Sequence, residues 1–460
     1  MPKPAHPNVL LLHAHDLGRF LGCYDVPTVR TPSLDALAAD GIRLTNAFCT
    51  APQCSPSRAA LFTGRYPHST GVMGLTHHRW DLYEDERHLA ELLRTAGYRT
   101  DLIGIHHESL VRPDAEVAER LGFDTVDTLG EALIDQRAER VADRAIEALT
   151  ARAADPDRPF YLQVGFLEPH RLPSRTFDGV TMGFTGDHME PDDSLGVTVP
   201  GYLRDDAGAH EELAELQGAV AYMDAAVGRV LAHLDALGLT ENTVTVFTTD
   251  HGLALPRAKC TLYDPGLETA LLVRAPGLGW SGGRVVDDLA SNVDLVPTLL
   301  AATGIEAPPN LHGHSLTAAL SGAGQGPQRD VIFGELTYHN YYDPRRCVRT
   351  DRHKLIVNLD HALAHTAAVT QSWRPRSTPH AGHMGWPSGK FELYDLHADP
   401  WETVNLADDP RHRDTLDDLR ARLLQWMTDT ADPLLNGPVP SPSYTYARDL
   451  LTQGAAATEL

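Results

Sequence analysis

Four short apolar runs constrain this chain more than any other feature, because each is of strand length and each empties into ionisable or metal-binding side chains. Val9-Leu10-Leu11-Leu12 delivers His13, His15 and Asp16, and Thr100-Asp101-Leu102-Ile103-Gly104 delivers His106 and His107. Phe160 to Phe166 leads into Glu168 and His170, and the β-branched run Thr243 to Thr249 opens into Asp250-His251-Gly252. Apolar or β-branched runs of this length read as buried strands. Helical stretches separate them. Thr31 and Pro32 open one, with Leu34, Leu37 and Ala38 on one face and Gly41 beyond its end; others are predicted over about Glu86 to Ala96, Asp114 to Ala154 and His210 to Leu237. This alternation predicts an α/β sheet, and in such sheets ligands bind beyond the carboxyl ends of the strands. A single histidine at a strand end is usually a loop residue; four such exits predict one crevice.

A further stretch, Ala51 to Arg65, lies between the first two runs. Ser55 is suited to cap a helix, Pro56 to open it and Gly64 to close it. Cys54 then stands at a helix mouth, where unpaired N–H groups and the macrodipole favour an anion. Arg58, four residues on, adds a positive charge on the same face. That predicts a place for a tetrahedral anion beside a reactive sulfur.

The totals narrow the function. With 39 Lys and Arg against 62 Asp and Glu, the net charge is −23, which argues against non-specific binding to nucleic acid or an acidic membrane. An anionic substrate must be drawn in by a local basic pocket. No charged, apolar and cleavable leader pattern opens the chain and no run suits a bilayer span, so a cytoplasmic protein is expected. The five cysteines, at 23, 49, 54, 260 and 347, are odd in number and scattered, which indicates neither a disulfide framework nor a thiolate zinc site. At 460 residues the chain suits one large α/β domain plus a smaller one. We divide it into a catalytic domain over 1–325, a C-terminal antiparallel-sheet module over 326–432 and a tail over 433–460 that wraps the surface or is loose, with Ser321 to Arg329 as linker. Thr176 to Pro200 reads as a long loop over the site, and Asp360 to Gly389, with His361, His365, Trp373, Arg374, His380 and His383, as a rim that reads the leaving group.

The Cys54-Ser55-Pro56-Ser57-Arg58 run, continued by Ala60-Leu61-Phe62-Thr63-Gly64, resembles the signature of the type I sulfatases, in which that cysteine is oxidised to the aldehyde formylglycine. The resemblance extends from Pro7 to about Leu406, through Ala221 to Leu231, Asn292 to Leu300 and Glu392-Leu393-Tyr394-Asp395-Leu396. It implies the alkaline-phosphatase-like fold, a large mixed sheet sandwiched by helices with a smaller C-terminal α+β domain. It implies Cys54 as formylglycine precursor, Arg58 as its stabilising cation, and Asp16 and Asp250 as metal ligands with His15 and His251 beside them. His107 takes the role of the family's base, His170 that of its Pro-His-x-Pro histidine, and Lys259 that of the lysine gripping sulfate. The gap from Asp250 to Lys259 and the following Leu262-Tyr263-Asp264-Pro265-Gly266 are similar to the sulfamidase branch. The implied partners are a small sulfated substrate, such as a sugar, and a formylglycine-generating enzyme; a homodimer is compatible with it.

Two positions depart from the pattern. His15-Asp16 replaces Asp-Asp, and Ile105 replaces a lysine on the leaving-group side, where His106 or His107 could substitute. The family implies Ca²⁺, but two imidazoles make the shell nitrogen-rich and suit Mn²⁺ or Zn²⁺ better, unless His15 turns away. His13 is expected behind the ligands. Hydrated formylglycine would attack sulfur or phosphorus in line, with Arg58, Lys259 and the helix mouth stabilising the gained charge. His170 would bind substrate oxygens or protonate the leaving group, and His107 would free the inorganic anion. Two rivals are a metal-dependent phosphonate or phosphodiester hydrolase, which His251 and Ile105 favour, and a catalytically silent anion-binding protein.

Overall fold

The computed structural model describes residues 6–130, 133–173, 182–186, 188–322, 329–360, 376–380 and 389–453. Eight strands form one mixed sheet: β1 (Asn8–Ala14), β2 (Ile42–Leu44), β3 (Arg99–Gly104), β4 (Thr125–Asp127), β5 (Phe160–Gly165), β6 (Thr243–Thr249), β7 (Leu271–Arg274) and β8 (Arg284–Val286). Their spatial order is β8-β2-β7-β6-β1-β5-β3-β4. β1 runs parallel to both neighbours, and β7 is antiparallel to β6 and β2.

Every residue of β1, β5 and β6 is buried, as their mainly apolar or β-branched composition suits strands covered on both faces. Along β1 the side chains alternate. Leu10, Leu12 and Ala14 enter one core with α1 (Pro32–Asp40), α4 (Ala138–Ala153) and α5 (Ala207–Ala236). Val9 and Leu11 enter a second core with α2 (Cys54–Thr63), α3 (Leu89–Thr95) and α6 (Leu295–Thr303). The sheet is therefore sandwiched by helices.

A four-stranded antiparallel sheet follows, β9 (Ile332–Tyr338), β10 (Tyr342–Arg349), β11 (His353–Asn358) and β12 (Phe391–Asp395), in chain order. One face packs Ile332, Leu336, Cys347, Ile356 and Tyr394 against Phe48, Leu262 and Leu267 of the large domain. The other packs Val348, Leu355 and Leu393 against Leu416, Leu419, Leu423 and Trp426 of α7 (Arg413–Asp429). Each fully buried leucine contributes on the order of 1.5–3 kcal/mol.

Three expectations need correction. α2 begins at Cys54, with Gln53 extended before it and no side-chain cap, so Ser55 is inside the helix rather than its cap. Asp114 to Ala154 is not one helix: it stops at Gly122, in the left-handed region at φ +83°, gives β4 its place beside β3, and restarts at Ala138. The tail beyond Pro433 carries a helix, α8 (Pro442–Gln453), tied down by Arg79 stacked 3.9 Å from the Tyr446 ring. Most of Ser321 to Arg329, part of Thr176 to Pro200, and His361, His365, Trp373, Arg374 and His383 lie outside the described residues. Among the described residues no helix is long and apolar enough to cross a membrane.

Candidate active site

Strand register builds the site. β1 and β6 run parallel with Ala14 opposite Thr249, so the next residues out, His15-Asp16 and Asp250-His251, emerge side by side. Asp16 turns into the left-handed region, φ +54°, and its N–H donates to Asp250 Oδ1 at 2.9 Å. On the other flank His13 pairs with Gly165 and Gly165 with Gly104, which brings the exits bearing His170 and His107 to the same edge. The ring centroids of His170, His107 and His251 lie 4.5, 6.2 and 6.2 Å from that of His15.

α2 supplies the rest. Its ten residues are all buried and its mouth faces the two aspartates. Ser57 donates to the Asp250 carbonyl, and Asn292 Nδ2 donates to the Ser57 carbonyl at 3.0 Å, which fixes the helix against β6. Cys54 Sγ lies 3.9 Å from Asp16 Oδ1. Arg58, fully buried, places Nε 3.1 Å from Asp250 Oδ2 and a terminal nitrogen 2.9 Å from His13 Nδ1, so His13 stands behind the cation as expected. Lys259 Nζ is 2.6 Å from Asp16 Oδ2.

His15 does not turn away: its Nδ1 lies 2.7 Å from Asp16 Oδ1 and 3.4 Å from Asp250 Oδ2. His251 Nε2 lies 3.0 Å from Asp16 Oδ1 and is buried without a well-formed hydrogen bond. One ligand atom from each of His15, Asp16, Cys54, Asp250 and His251 falls within 4.8 Å of all the others. Two carboxylates and two inward-facing imidazoles, one with an orphaned nitrogen, are a donor set that fits a divalent cation.

The charges follow from this crowding. Burial pushes both imidazoles down, but Asp250, Cys54 and Asp16 hold His15 up at about 9, and Asp250 and Asp16 hold His251 at about 10. Burial alone would raise the Cys54 thiol; Lys259 and His15 bring it well below the ordinary thiol range. Burial lowers His170 to about 4 and lowers His107, whose ring is close enough to Cys54 to be pulled partly back up by it.

All nine expected residues thus meet at one crevice: Cys54, Arg58, His107, His170, Lys259, His15, Asp16, Asp250 and His251. His106 does not join them, for it sits buried beside Glu108 and is lowered to about 4. Two imidazoles that sequence reasoning missed do. His339, from the turn between β9 and β10, is lowered to about 3 by burial and by Lys259, and His77 stacks on His107 with centroids 6.0 Å apart. Both come from turns without apolar periodicity, so no signal marked them.

This sheet-and-helix frame, with a cysteine and a cation site sharing one buried floor, defines a class, and comparison with known proteins agrees. The sulfatase family model matches residues 7–305, and a second model, the N-sulphoglucosamine sulphohydrolase C-terminal region, matches 253–371. The chain belongs to the sulfatase family and is a hydrolase of sulfate esters or sulfamates. In particular, it is 32% identical to human N-sulphoglucosamine sulphohydrolase, over 94% of this chain and 92% of that protein. Human arylsulfatase A is 29% identical over 87% and 83%. A solved structure of a protein in complex with its substrate D-glucosamine-2-N,6-O-disulfate superposes with a TM-score of 0.69 at 19% identity, covering 94% of this chain and 99% of that one. The family implies a divalent metal. The phosphonate or phosphodiester and the silent readings are not favoured by these relatives.

Proposed function

We propose that the chain is a formylglycine-dependent sulfohydrolase that removes sulfate from a sulfated amino sugar, with the N-sulfate as its preferred bond. The observation that carries the reading is that Cys54 shares one buried 4.8 Å cluster with two carboxylates and two imidazoles, while Lys259 and Arg58 stand over the same carboxylates. Amino-sugar specificity is supported by the human relative and by the second family match.

The Sγ of Cys54 stands where the oxygens of hydrated formylglycine would be. So oxidised, position 54 would supply a hydroxyl nucleophile; His15, Asp16, Asp250 and His251 would hold the cation, whose chemistry when bound would be that of a Lewis acid beside that hydroxyl. Arg58 and Lys259 hold the anion against the helix mouth and stabilise the charge its oxygens gain. His170, its Nδ1 tied to the Arg171 carbonyl at 2.7 Å, presents its other nitrogen to the crevice. His107 is placed to take the proton from position 54 that frees inorganic sulfate. Conversion of Cys54 requires a separate oxidising enzyme.

For the cation we propose Mn²⁺ or Zn²⁺ over Ca²⁺, because His15 and His251 both face inward and calcium prefers oxygen shells. Five free thiols support a reducing, cytoplasmic setting. The function is tested by hydrolysis of glucosamine N-sulfate, an aryl sulfate and an aryl phosphodiester, read as inorganic sulfate from the first two and as the released phenol from the third: the highest kcat/KM is expected for the N-sulfate, and a preference for the phosphodiester overturns the reading. The metal is tested by calorimetric titration of chelator-treated protein. Tighter binding of Mn²⁺ or Zn²⁺ is expected, with His15→Asp moving preference towards Ca²⁺; tighter Ca²⁺ binding by the unaltered protein refutes it.

A further inference from the structure

The floor of the crevice is fully enclosed: Asp16, Asp250, His251 and Arg58 expose at most 1% of their surface. With the floor closed, the leaving group of the substrate has to depart through the open mouth of the crevice. His107 lines that mouth beside Cys54, and His77 lies parallel to it, the two ring planes 13° apart.

His77 is held there from several sides. The neighbouring Thr76 N–H donates to Ser55 Oγ at 3.1 Å, one residue from Cys54, and Arg112 donates to Thr76 Oγ1 at 3.0 Å. His78 packs edge-on against the His77 ring at 4.3 Å and places Nδ1 3.2 Å from the His339 carbonyl. The His78 carbonyl accepts from Ser443 Oγ of α8 at 3.1 Å, and Arg79 lies over Tyr446 of the same helix. The turn is thus clamped between the mouth of α2 and the C-terminal helix. Its imidazole at 77 is nonetheless exposed, and its ring nitrogens have no hydrogen-bond partner among the described residues. His77 also feels the charges of both His107 and Cys54, which places it within electrostatic reach of the reacting group. Of the other imidazoles, His106 is buried, and His170 has one of its two nitrogens, Nδ1, tied to a backbone carbonyl. Ile105 brings no charge to this side.

We propose that His77 touches the substrate and donates a hydrogen bond to the bridging atom of the leaving group, the nitrogen or oxygen that departs from sulfur. The proposal rests on the sulfatase reading. It is tested with aldehyde-bearing full-length protein and its His77→Ala and His77→Gln variants, assayed on a series of aryl sulfates of rising leaving-group pKa. Loss of the donor should lower kcat/KM about 10- to 100-fold for the poorest leaving groups and hardly at all for the best, steepening the dependence on leaving-group pKa. Gln, which keeps an N–H, should recover part of the loss. An equal loss across the series, or none, overturns the proposal while leaving the sulfatase reading intact; absence of turnover by the unaltered protein with every sulfate and sulfamate overturns both.

Discussion

Lys259 and Arg58 divide the two carboxylates between them, Lys259 meeting Asp16 at 2.6 Å and Arg58 meeting Asp250 at 3.1 Å. Each cation offsets a buried negative charge, and on the proposed function each also stabilises the substrate oxyanion. Replacing Lys259 with Met should therefore lower kcat/KM by about 10²- to 10³-fold, the scale of losing one preorganised charge stabiliser. A fall below tenfold, in metal-loaded protein with an unchanged circular dichroism spectrum, would remove Lys259 from the site. Arg58 was legible from its place four residues into the helix that opens at Cys54, whereas Lys259, ten residues past the end of β6, was legible only through the resemblance to the family. His77 and His339 were not, because a turn residue carries no period and its position depends on contacts with Ser55, Arg112 and α8, far away in the sequence.

At the scale of elements, the sheet edge decides whether the site exists. Gly104 ends β3 at φ +84°, and a Cβ there would come 2.1 Å from the Gly165 carbonyl. Gly104→Ala should force β3 and β5 apart, destabilise the fold by about 3 kcal/mol in urea titration and displace His107, with loss of turnover. A wild-type urea midpoint would contradict this. β6 was readable to the residue, since seven consecutive β-branched or aromatic positions suit only a doubly covered strand. The long helix proposed over Asp114 to Ala154 failed because Ala, Glu and Arg favour helix throughout, whereas the pairing of Asp101 to Ile103 with Thr125 to Asp127 imposes a strand midway. Tertiary pairing overrode propensity. α8 was missed for the opposite reason: its Pro- and Ser-rich approach resembles a loose tail, and what fixes it is contact with Arg79 and the His78 carbonyl.

Across the whole molecule, buried charges join the two sheets. Lys354 of β11 is fully buried between Asp264 of the large domain, at 2.5 Å, and Glu402, at 2.8 Å. Asp264 also meets Arg349 at 3.0 Å, so Lys354→Met would strip Glu402 of its cation, and a loss of about 3 kcal/mol in chemical denaturation is expected; an unchanged midpoint would contradict it. His68, Glu335 and Asp432 also converge, and there Arg346 pairs with both carboxylates. Acid should unfold the chain through its buried histidines. Burial holds His106 and His312 down at about 4 and His339 at about 3. These lie below the unfolded value near 6.5, so their contribution is complete above about pH 6.5 and is lost as pH falls through 4. Between those limits stability should decline by up to about 1.4 kcal/mol per pH unit for each such group, read from urea midpoints; a flat profile would contradict this.

The measurement that bears most directly on the central claim is the rate of sulfate release plotted against the aldehyde content of position 54, across preparations converted to different extents and fully loaded with metal. A straight line through the origin, with Cys54→Ala at zero, is the predicted result. Turnover by protein that carries only the thiol would contradict it.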